Sequence, residues 1–173
     1  MATNTRSPGN DKSVATRRSF LRSAAIAGVT LAALPAARAA TDDTETQERT
    51  DERTILAFWD AWNAKCEDLI MSFFTPDATY HNIPVDPIVG MDAIRSTVQA
   101  FLQLFAKVNI ETVSIAAKGG IVHTERLDRF TIGNGKVVKL PVAGVLYLTK
   151  GKIRLWRDYF DLATFEGQSG VTL

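Results

Sequence analysis

Four segments rich in Val, Ile, Thr and aromatic residues follow one another after residue 108, and short turn signals separate them. The turn signals are Lys118-Gly119-Gly120, Gly133-Asn134-Gly135 and Lys150-Gly151. Glycine-containing and asparagine-containing turns between such segments are typical of β-hairpins. The sequence therefore predicts four successive antiparallel strands, over about 109–117, 120–131, 137–148 and 152–161.

The region before these strands has helical periodicity. In residues 54–73 apolar side chains recur at three- and four-residue steps, which indicates one long or two consecutive amphipathic helices. A turn, the extended segment "TYHNIP" and the loop "VDPIVG" lead to a third helical pattern in residues 91–108. We therefore predict an α+β domain, in which a curved mixed, mostly antiparallel sheet wraps around about three N-terminal helices and encloses a pocket.

The first 39 residues differ from the rest of the chain. Basic residues precede an apolar run from Ala24 to Ala37, and the small-residue pattern Ala37-Arg38-Ala39 follows, as in a secretory signal peptide. The segment "TRRSFLR", residues 16–22, is similar to a twin-arginine export signal. The run is shorter than the roughly 18–20 residues that span a bilayer, so we expect no permanent membrane span. The alternative is a basic tail that adjoins an apolar segment by chance.

Charge and composition divide the chain and limit its partners. We predict a signal peptide over residues 1–39, a flexible polar lead-in over 40–53 and a single domain over 54–173. Residues 1–39 contain six of the 20 basic residues and one of the 19 acidic residues. The other 14 basic and 18 acidic residues give the rest of the chain a net charge of −4. A nucleic-acid partner is therefore not expected. We expect an exported protein, in the bacterial periplasm or outside the cell.

Two of the predicted strands carry charges at positions where period-2 alternation gives them a defined face. In "IVHTERLDRF", residues 121–130, Arg126 and Asp128 point to the same side as Val122 and Phe130. In the last strand Asp158 shares a face with two large aromatic residues. Both faces of the first of these strands are mixed, so alternation alone does not decide which one is buried. The simpler interpretation is a solvated ion-pair ladder on the surface.

Three short segments together resemble the limonene-1,2-epoxide hydrolase family, which has the nuclear-transport-factor-2-like, or SnoaL-like, cone fold. The segments are "TYHNIP", "TERLD" and "WRDYFD", in this order and spacing. The resemblance implies that Arg126, Asp128 and Asp158 are catalytic, and that Tyr80 and Asn82 hold the water that reacts. It also implies a homodimer, a small lipophilic epoxide as substrate, and a vicinal diol as product.

The residue types themselves suit this chemistry. Opening an epoxide with water needs a base for the water proton and an acid for the ring oxygen. If Arg126 lies between Asp128 and Asp158 in an apolar cavity, one stored proton makes the trio neutral, whereas two ionised acids leave it at −1. We therefore expect Asp158 to be the base, Asp128 the acid and Arg126 the bridge.

Neither a metal nor an organic cofactor is expected. The chain has two histidines and one cysteine, and they are not clustered as metal ligands. We expect Cys66 to be a small buried residue, because a single cysteine forms no internal disulfide. Two other functions stay open: a cyclase or ketosteroid-isomerase-like enzyme on the same fold, which also uses a pocket aspartate, and a non-catalytic binder of apolar ligands.

The expected homodimer is testable by sedimentation. Four apolar positions fall on the outer faces of the predicted strands, where they are available to a second copy. They are Ile121, Leu127, Leu155 and Tyr159. We expect sedimentation at micromolar concentration to give the mass of a dimer. A monomer at that concentration would contradict the expectation.

Overall fold

The computed structural model describes residues 33–173, with side chains from residue 42 onward. This part of the chain contains four helices and six strands. In chain order they are α1 (Ala33–Asn63), α2 (Glu67–Ser72), β1 (Phe74–Asn82), β2 (Ile88–Val89), α3 (Met91–Leu104), β3 (Phe105–Lys118), β4 (Ile121–Ile132), β5 (Val137–Thr149), β6 (Lys152–Tyr159) and α4 (Leu162–Ser169).

The strands form one mixed sheet in the order β2-β1-β6-β5-β4-β3. Strands β3 to β6 are the predicted antiparallel meander, and β1 lies parallel to β6. The β5–β6 turn places Lys150 and Gly151 at φ values of 51° and 71°, the left-handed conformation that a tight two-residue hairpin needs. The predicted α+β class is confirmed.

The helices cover one face of the sheet through an aromatic core. Phe58 of α1 lies edge-on to Trp156 of β6, with ring centroids 5.2 Å apart, and Trp59 packs on the same indole at 5.5 Å. Phe74 of β1 and Ile94 of α3 are buried in the same core. The apolar stripe of α1 thus holds the helix against β6, the strand that carries Asp158.

The helical pattern in residues 54–73 forms two helices. Helix α1 ends at Asn63, Lys65 has a φ of 55°, and α2 begins at Glu67. The Asn63 amide donates to the Ile110 carbonyl oxygen at 3.2 Å and accepts from the Ile110 N–H at 2.6 Å. The end of α1 is therefore fixed to β3. Cys66, in this junction, is exposed, so the expectation that it is buried is wrong.

Residues 40–53 lie within α1, whereas we predicted a flexible lead-in there. The polar side chains of this segment find partners along the helix and across to the sheet. Gln47 donates to Asp51, which is buried, at 2.8 Å, and Glu52 accepts from the Ala117 N–H at 3.1 Å. Most side chains of the segment are exposed to solvent. Composition alone does not distinguish such a helix from a solvated linker.

Two further elements were not predicted. Strand β2 lies in the segment that we interpreted as a loop, and it pairs with Thr79 and Tyr80 of β1. Helix α4 follows β6; the Asp161 carboxylate caps it by accepting from the Thr164 N–H at 2.5 Å, and Gly170 ends it at a φ of 74°. The aspartate at the start of α4 and the glycine at its end are residue types that commonly cap helices. They did not lead to a prediction of α4, because eight residues are too few for a clear periodic pattern.

Most of the predicted signal peptide, residues 1–32, lies outside the described residues, so it stays a prediction. Among residues 33–173, no helix is both long enough and apolar enough to cross a membrane.

Candidate active site

Strand β4 turns its charged residues inward. Val122, Thr124, Arg126 and Asp128 are all buried, while the alternate residues of the strand are half-buried or exposed. The prediction that Arg126 and Asp128 share a face is confirmed, and this face is the one that the helices cover. Surface ladders of ion pairs are exposed, so the simpler interpretation of these charges is wrong.

Strand register brings Asp158 to the same place. Asp158 of β6 lies beside Asn82 of β1 on one side and beside Gly144 of β5 on the other, and Gly144 lies beside Thr124 of β4. These residues form one row across four strands, and Arg126 is the next inward residue of β4. The sheet therefore aligns three segments that are far apart in the sequence.

Gly144 leaves the space that Arg126 needs to reach Asp158. A Cβ atom at this position would lie 2.6 Å from Arg126 Nη1 and 2.9 Å from Asp158 Oδ1. Both distances are shorter than real Cβ contacts, so any other residue would displace the guanidinium or the carboxylate. Glycine in the interior of a strand commonly marks such a close approach.

The guanidinium of Arg126 bridges both carboxylates. Nε and Nη2 donate to Asp128 Oδ1 and Oδ2, each at 3.1 Å, while Nη1 and Nη2 donate to Asp158 Oδ1 and Oδ2 at 3.0 and 2.7 Å. Each carboxylate thus makes a bidentate pair with one planar cation, the geometry in which arginine binds carboxylates most strongly. The fork fixes the positions of both acids relative to each other.

Burial makes the charge balance of this trio decisive. Arg126 is 2% exposed and each aspartate is 4% exposed. The Trp59 ring covers the guanidinium, with Arg126 Cζ 4.2 Å from the ring centroid. Burial on its own would lower the pKa of Arg126, but Asp158 and Asp128 outweigh it and raise the pKa above its usual range. Arg126 is therefore a permanent cation.

Burial also raises the pKa of Asp128. The positive charge and hydrogen bonds of Arg126 oppose the effect, and the negative charge of Asp158 adds to it. A neutral trio needs one proton on the two acids, and this shift favours Asp128 as its holder.

Tyr80 and Asn82 flank Asp158 on the β1 side. The Tyr80 hydroxyl donates to Asn82 Oδ1 at 3.0 Å, and both side chains are buried. Burial, with the negative charge of Asp158 as the next contribution, raises the pKa of Tyr80 above its usual range, so the phenol stays protonated. All five predicted site residues are brought together by the structure and line one cavity.

Sequence reasoning noted Trp156 only as an aromatic neighbour of Asp158 and missed its hydrogen bond. Trp156 Nε1 donates to Asp158 Oδ1 at 2.7 Å, and the Trp156 ring stacks on Tyr80 with centroids 4.1 Å apart. Because Trp156 precedes Asp158 by two residues on one strand, the shared face was available as a signal. Trp156 therefore positions both Asp158 and Tyr80.

The cavity is lined by these polar groups on the sheet side and by apolar side chains elsewhere. Helix α4 contributes Phe165, which sequence reasoning did not place because it missed the helix. The other lining residues are apolar, and some of them also belong to strands of the sheet. They are Trp62, Phe101, Phe105, Ile110, Phe130, Leu140, Val142, Phe160, Phe165 and Leu173. Among residues 33–173, no three His, Cys, Asp or Glu side chains are grouped as a metal site would require.

The fold is an α+β cone, and solved structures described as SnoaL-like and ketosteroid isomerase-like share it. A solved structure described as a SnoaL-like polyketide cyclase from Jannaschia aligns with a TM-score of 0.62 at 17% identity. The alignment covers 72% of this chain and 94% of the other. A protein of ketosteroid isomerase-like fold from Catenulispora acidiphila aligns at 0.61 and 21%, over 68% of this chain and 92% of the other. At these identities the likeness shows the fold alone.

The sequence then identifies the family. The model of the limonene-1,2-epoxide hydrolase catalytic domain matches residues 49–169, so the chain belongs to this family. Epoxide hydrolase EphG of Mycobacterium tuberculosis is 34% identical over 110 residues, which are 62% of this chain and 71% of EphG. The structure of an M. tuberculosis LEH-like epoxide hydrolase aligns with a TM-score of 0.63 at 29% identity, over 70% of this chain and 91% of the other.

The raised pKa of Asp128 predicts a pH dependence of folding. The folded protein keeps the Asp128 proton to a higher pH than the unfolded chain, in which an aspartate has a pKa of about 3.9. The stabilisation is therefore full below about pH 4 and is lost as the pH rises through the folded pKa. Asp128→Asn removes the titrating group, so the free energy of unfolding of the wild type should fall relative to that of the variant as the pH rises.

Urea unfolding between about pH 4 and pH 8 measures this difference. The control is Asp86→Asn, which removes an exposed carboxylate from the loop before β2. A wild-type minus Asp128→Asn difference that stays constant over this range would contradict the prediction.

Proposed function

We propose that this protein is a cofactor-independent epoxide hydrolase that adds water to a small lipophilic epoxide and releases a vicinal diol. The observation that carries the proposal is the buried pair of aspartates bridged by Arg126 in the wall of an apolar cavity. Membership of the limonene-1,2-epoxide hydrolase family supports the same reaction class. A non-catalytic binder of apolar ligands would have no need to bury three charged groups.

The two acids are proposed to differ in protonation because their surroundings differ. Asp158 accepts three hydrogen bonds, two from Arg126 and one from Trp156, and such donors stabilise an anion. Among residues 42–173, Asp128 accepts hydrogen bonds from Arg126 alone, and its pKa is raised. Asp158 is therefore the base and Asp128 is the acid.

The reaction proceeds in one step. A water molecule is held between Tyr80, Asn82 and Asp158, and Asp158 takes its proton as the water oxygen attacks an oxirane carbon. The bond from that carbon to the oxirane oxygen breaks, and Asp128 gives its proton to the oxygen. The product is a diol, with Asp158 protonated and Asp128 ionised. The two acids lie on either side of Arg126, and transfer of one proton from Asp158 to Asp128 restores the starting state.

Arg126 has a constant role through this cycle. The total charge of the trio stays at zero before and after the reaction, because one proton leaves Asp128 while another reaches Asp158. The guanidinium pairs with whichever carboxylate is ionised, so the cavity never has to hold an unbalanced charge. This conservation of charge suits an apolar site that excludes water.

The chemistry is tested with epoxides in ¹⁸O-labelled water. We expect purified protein to convert at least one of limonene oxide, styrene oxide and cyclohexene oxide into a diol that carries one label. Asp158→Asn and Asp128→Asn, which keep the shape of each side chain, should lower kcat by a factor of about 10² or more, because general acid and base steps contribute that much. Diol analysis by mass spectrometry measures both rate and label.

Asp92→Asn, an exposed change on α3, is the matched control for these substitutions and should leave the rate unchanged. If a folded protein turns over none of the three epoxides, the proposal fails, and a cyclase, an isomerase or a binding function becomes the better hypothesis. Unlabelled diol would exclude the attack by solvent water.

We also propose that the protein is exported through its N-terminal segment. The basis is the sequence of residues 1–39, with paired Arg17 and Arg18 before an apolar run. In a bacterial host with a twin-arginine pathway, we expect the protein in the periplasmic fraction and the Arg17→Lys, Arg18→Lys double variant in the cytoplasm. Equal export of the wild type and the double variant would contradict the twin-arginine part of the proposal.

A further inference from the structure

We propose that Thr124 is a positioning residue of the candidate active site. Its hydroxyl oxygen accepts a hydrogen bond from Arg126 once Asp158 has taken the proton from water, and this bond holds the guanidinium until the proton is returned. The inference rests on the proposed function and adds a sixth residue to it. Thr124 is not among the residues that line the cavity, so it acts through Arg126 and not on the substrate.

The first observation is a guanidinium N–H group without a partner. A guanidinium has five N–H donors. In Arg126, Nε and one N–H of Nη2 donate to Asp128, while the other N–H of Nη2 and one N–H of Nη1 donate to Asp158. Among the residues with described side chains, the second N–H of Nη1 has no acceptor. Arg126 is almost fully buried, so this donor has little access to water.

Thr124 has an acceptor that is equally unused. This residue precedes Arg126 by two positions on the inner face of β4 and is buried. Its Oγ1 atom has no hydrogen-bond partner among residues 42–173. Buried hydroxyl groups are usually paired, because an unpaired one loses its hydrogen bond to water without compensation. An unused acceptor and an unused donor therefore lie on neighbouring inward residues of one strand.

Both unused groups lie at the same gap beside Gly144. The point that a Cβ atom of Gly144 would occupy is 2.6 Å from Arg126 Nη1 and 2.6 Å from Thr124 Oγ1, so the two atoms are no farther apart than the sum of these distances. Asp158 Oδ1 is 2.9 Å from the same point. Because Gly144 has no side chain, the strand between β4 and β6 places nothing in the gap. The Thr124 hydroxyl therefore lies beside the contact between Arg126 and Asp158.

The protonation state of Asp158 decides when these two groups need each other. As a carboxylate, Asp158 accepts from Arg126 at both oxygens, and no bond joins Arg126 to Thr124. A protonated Asp158 carries an O–H where it previously accepted, so it no longer accommodates both N–H groups. The guanidinium must then shift, and Thr124 Oγ1 is the unused acceptor beside it.

A bond that forms only as the proton is transferred affects the rate and not substrate binding. It stabilises the state in which Asp158 is protonated, and part of this stabilisation is already present in the transition state. Hydrogen bonds to charged groups are stronger than those between neutral groups. Loss of the Thr124 hydroxyl should therefore lower kcat and leave KM unchanged.

Thr124→Val and Thr124→Ser test this step by kinetics, because valine keeps the shape of the side chain and serine keeps the hydroxyl. For an epoxide that the wild type converts, we expect Thr124→Val to lower kcat roughly tenfold and to change KM less than about twofold. Thr124→Ser should recover most of the lost rate. Thr131→Val, the same exchange on the other face of β4, is the control and should change neither constant. A kcat of Thr124→Val equal to that of the wild type, or a change in KM alone, would overturn the inference.

Urea unfolding supplies a readout that does not depend on turnover. Asp158→Asn replaces the carboxylate by a neutral amide of the same shape, as protonation does, and Arg126 and Asp128 still balance each other's charge. In the wild type, Thr124→Val removes an unpaired hydroxyl, so the urea midpoint should stay the same or rise. In Asp158→Asn it removes a paired hydroxyl, so the midpoint should fall. The same change in both backgrounds would contradict the inference.

Failure of the proposed function and failure of this inference give different results. If the protein forms no diol but the midpoints change in opposite directions, the hydrolase is rejected and the bond between Thr124 and Arg126 stands. If the protein forms diol and Thr124→Val has the kcat of the wild type, the hydrolase stands and the role of Thr124 is rejected. Thr124→Ala removes the same hydroxyl with less bulk and takes the place of Thr124→Val if that variant does not fold.

Discussion

The structure depends on the burial of one cation between two carboxylates. Arg126, Asp128 and Asp158 are removed from water almost completely, so each charge must find its partner inside the protein. This requirement accounts for several separate features: β4 and β6 lie within reach of one side chain, Gly144 of the strand between them has no side chain, and Trp59 covers the guanidinium. Each feature would be costly without the trio.

Burying this network is not a way to stabilise the fold. Replacing a buried ion pair by well-packed apolar residues of similar volume is often neutral or stabilising, so such a network needs a functional reason. The proton transfer that we propose would supply that reason, because two acids on one cation can exchange a proton without a change in total charge. The apolar cavity wall also affects the acids, since burial raises the pKa of Asp128.

Local patterns predicted the regular elements well and the irregular ones poorly. The hairpin turns and the alternation of β4 were sufficient for the meander and for the shared face of Arg126 and Asp128, because strand geometry is set by neighbours in the sequence. Helix α4 is short, β2 has two residues, and residues 41–53 of α1 are polar, so none has a periodic signal. Cys66 was misplaced for a related reason, since it lies in a junction between helices rather than on their apolar faces.

The sequence by itself determined the class of the fold, the order of its main elements and, through three short segments, the family and the five polar residues of the site. Only the tertiary structure decided that the charged face of β4 is the buried one and that Trp156 holds Asp158. The reason is physical. Alternation tells which side chains share a face, but the inner face and its hydrogen-bond partners depend on strand register and helix packing, which join residues distant in the chain.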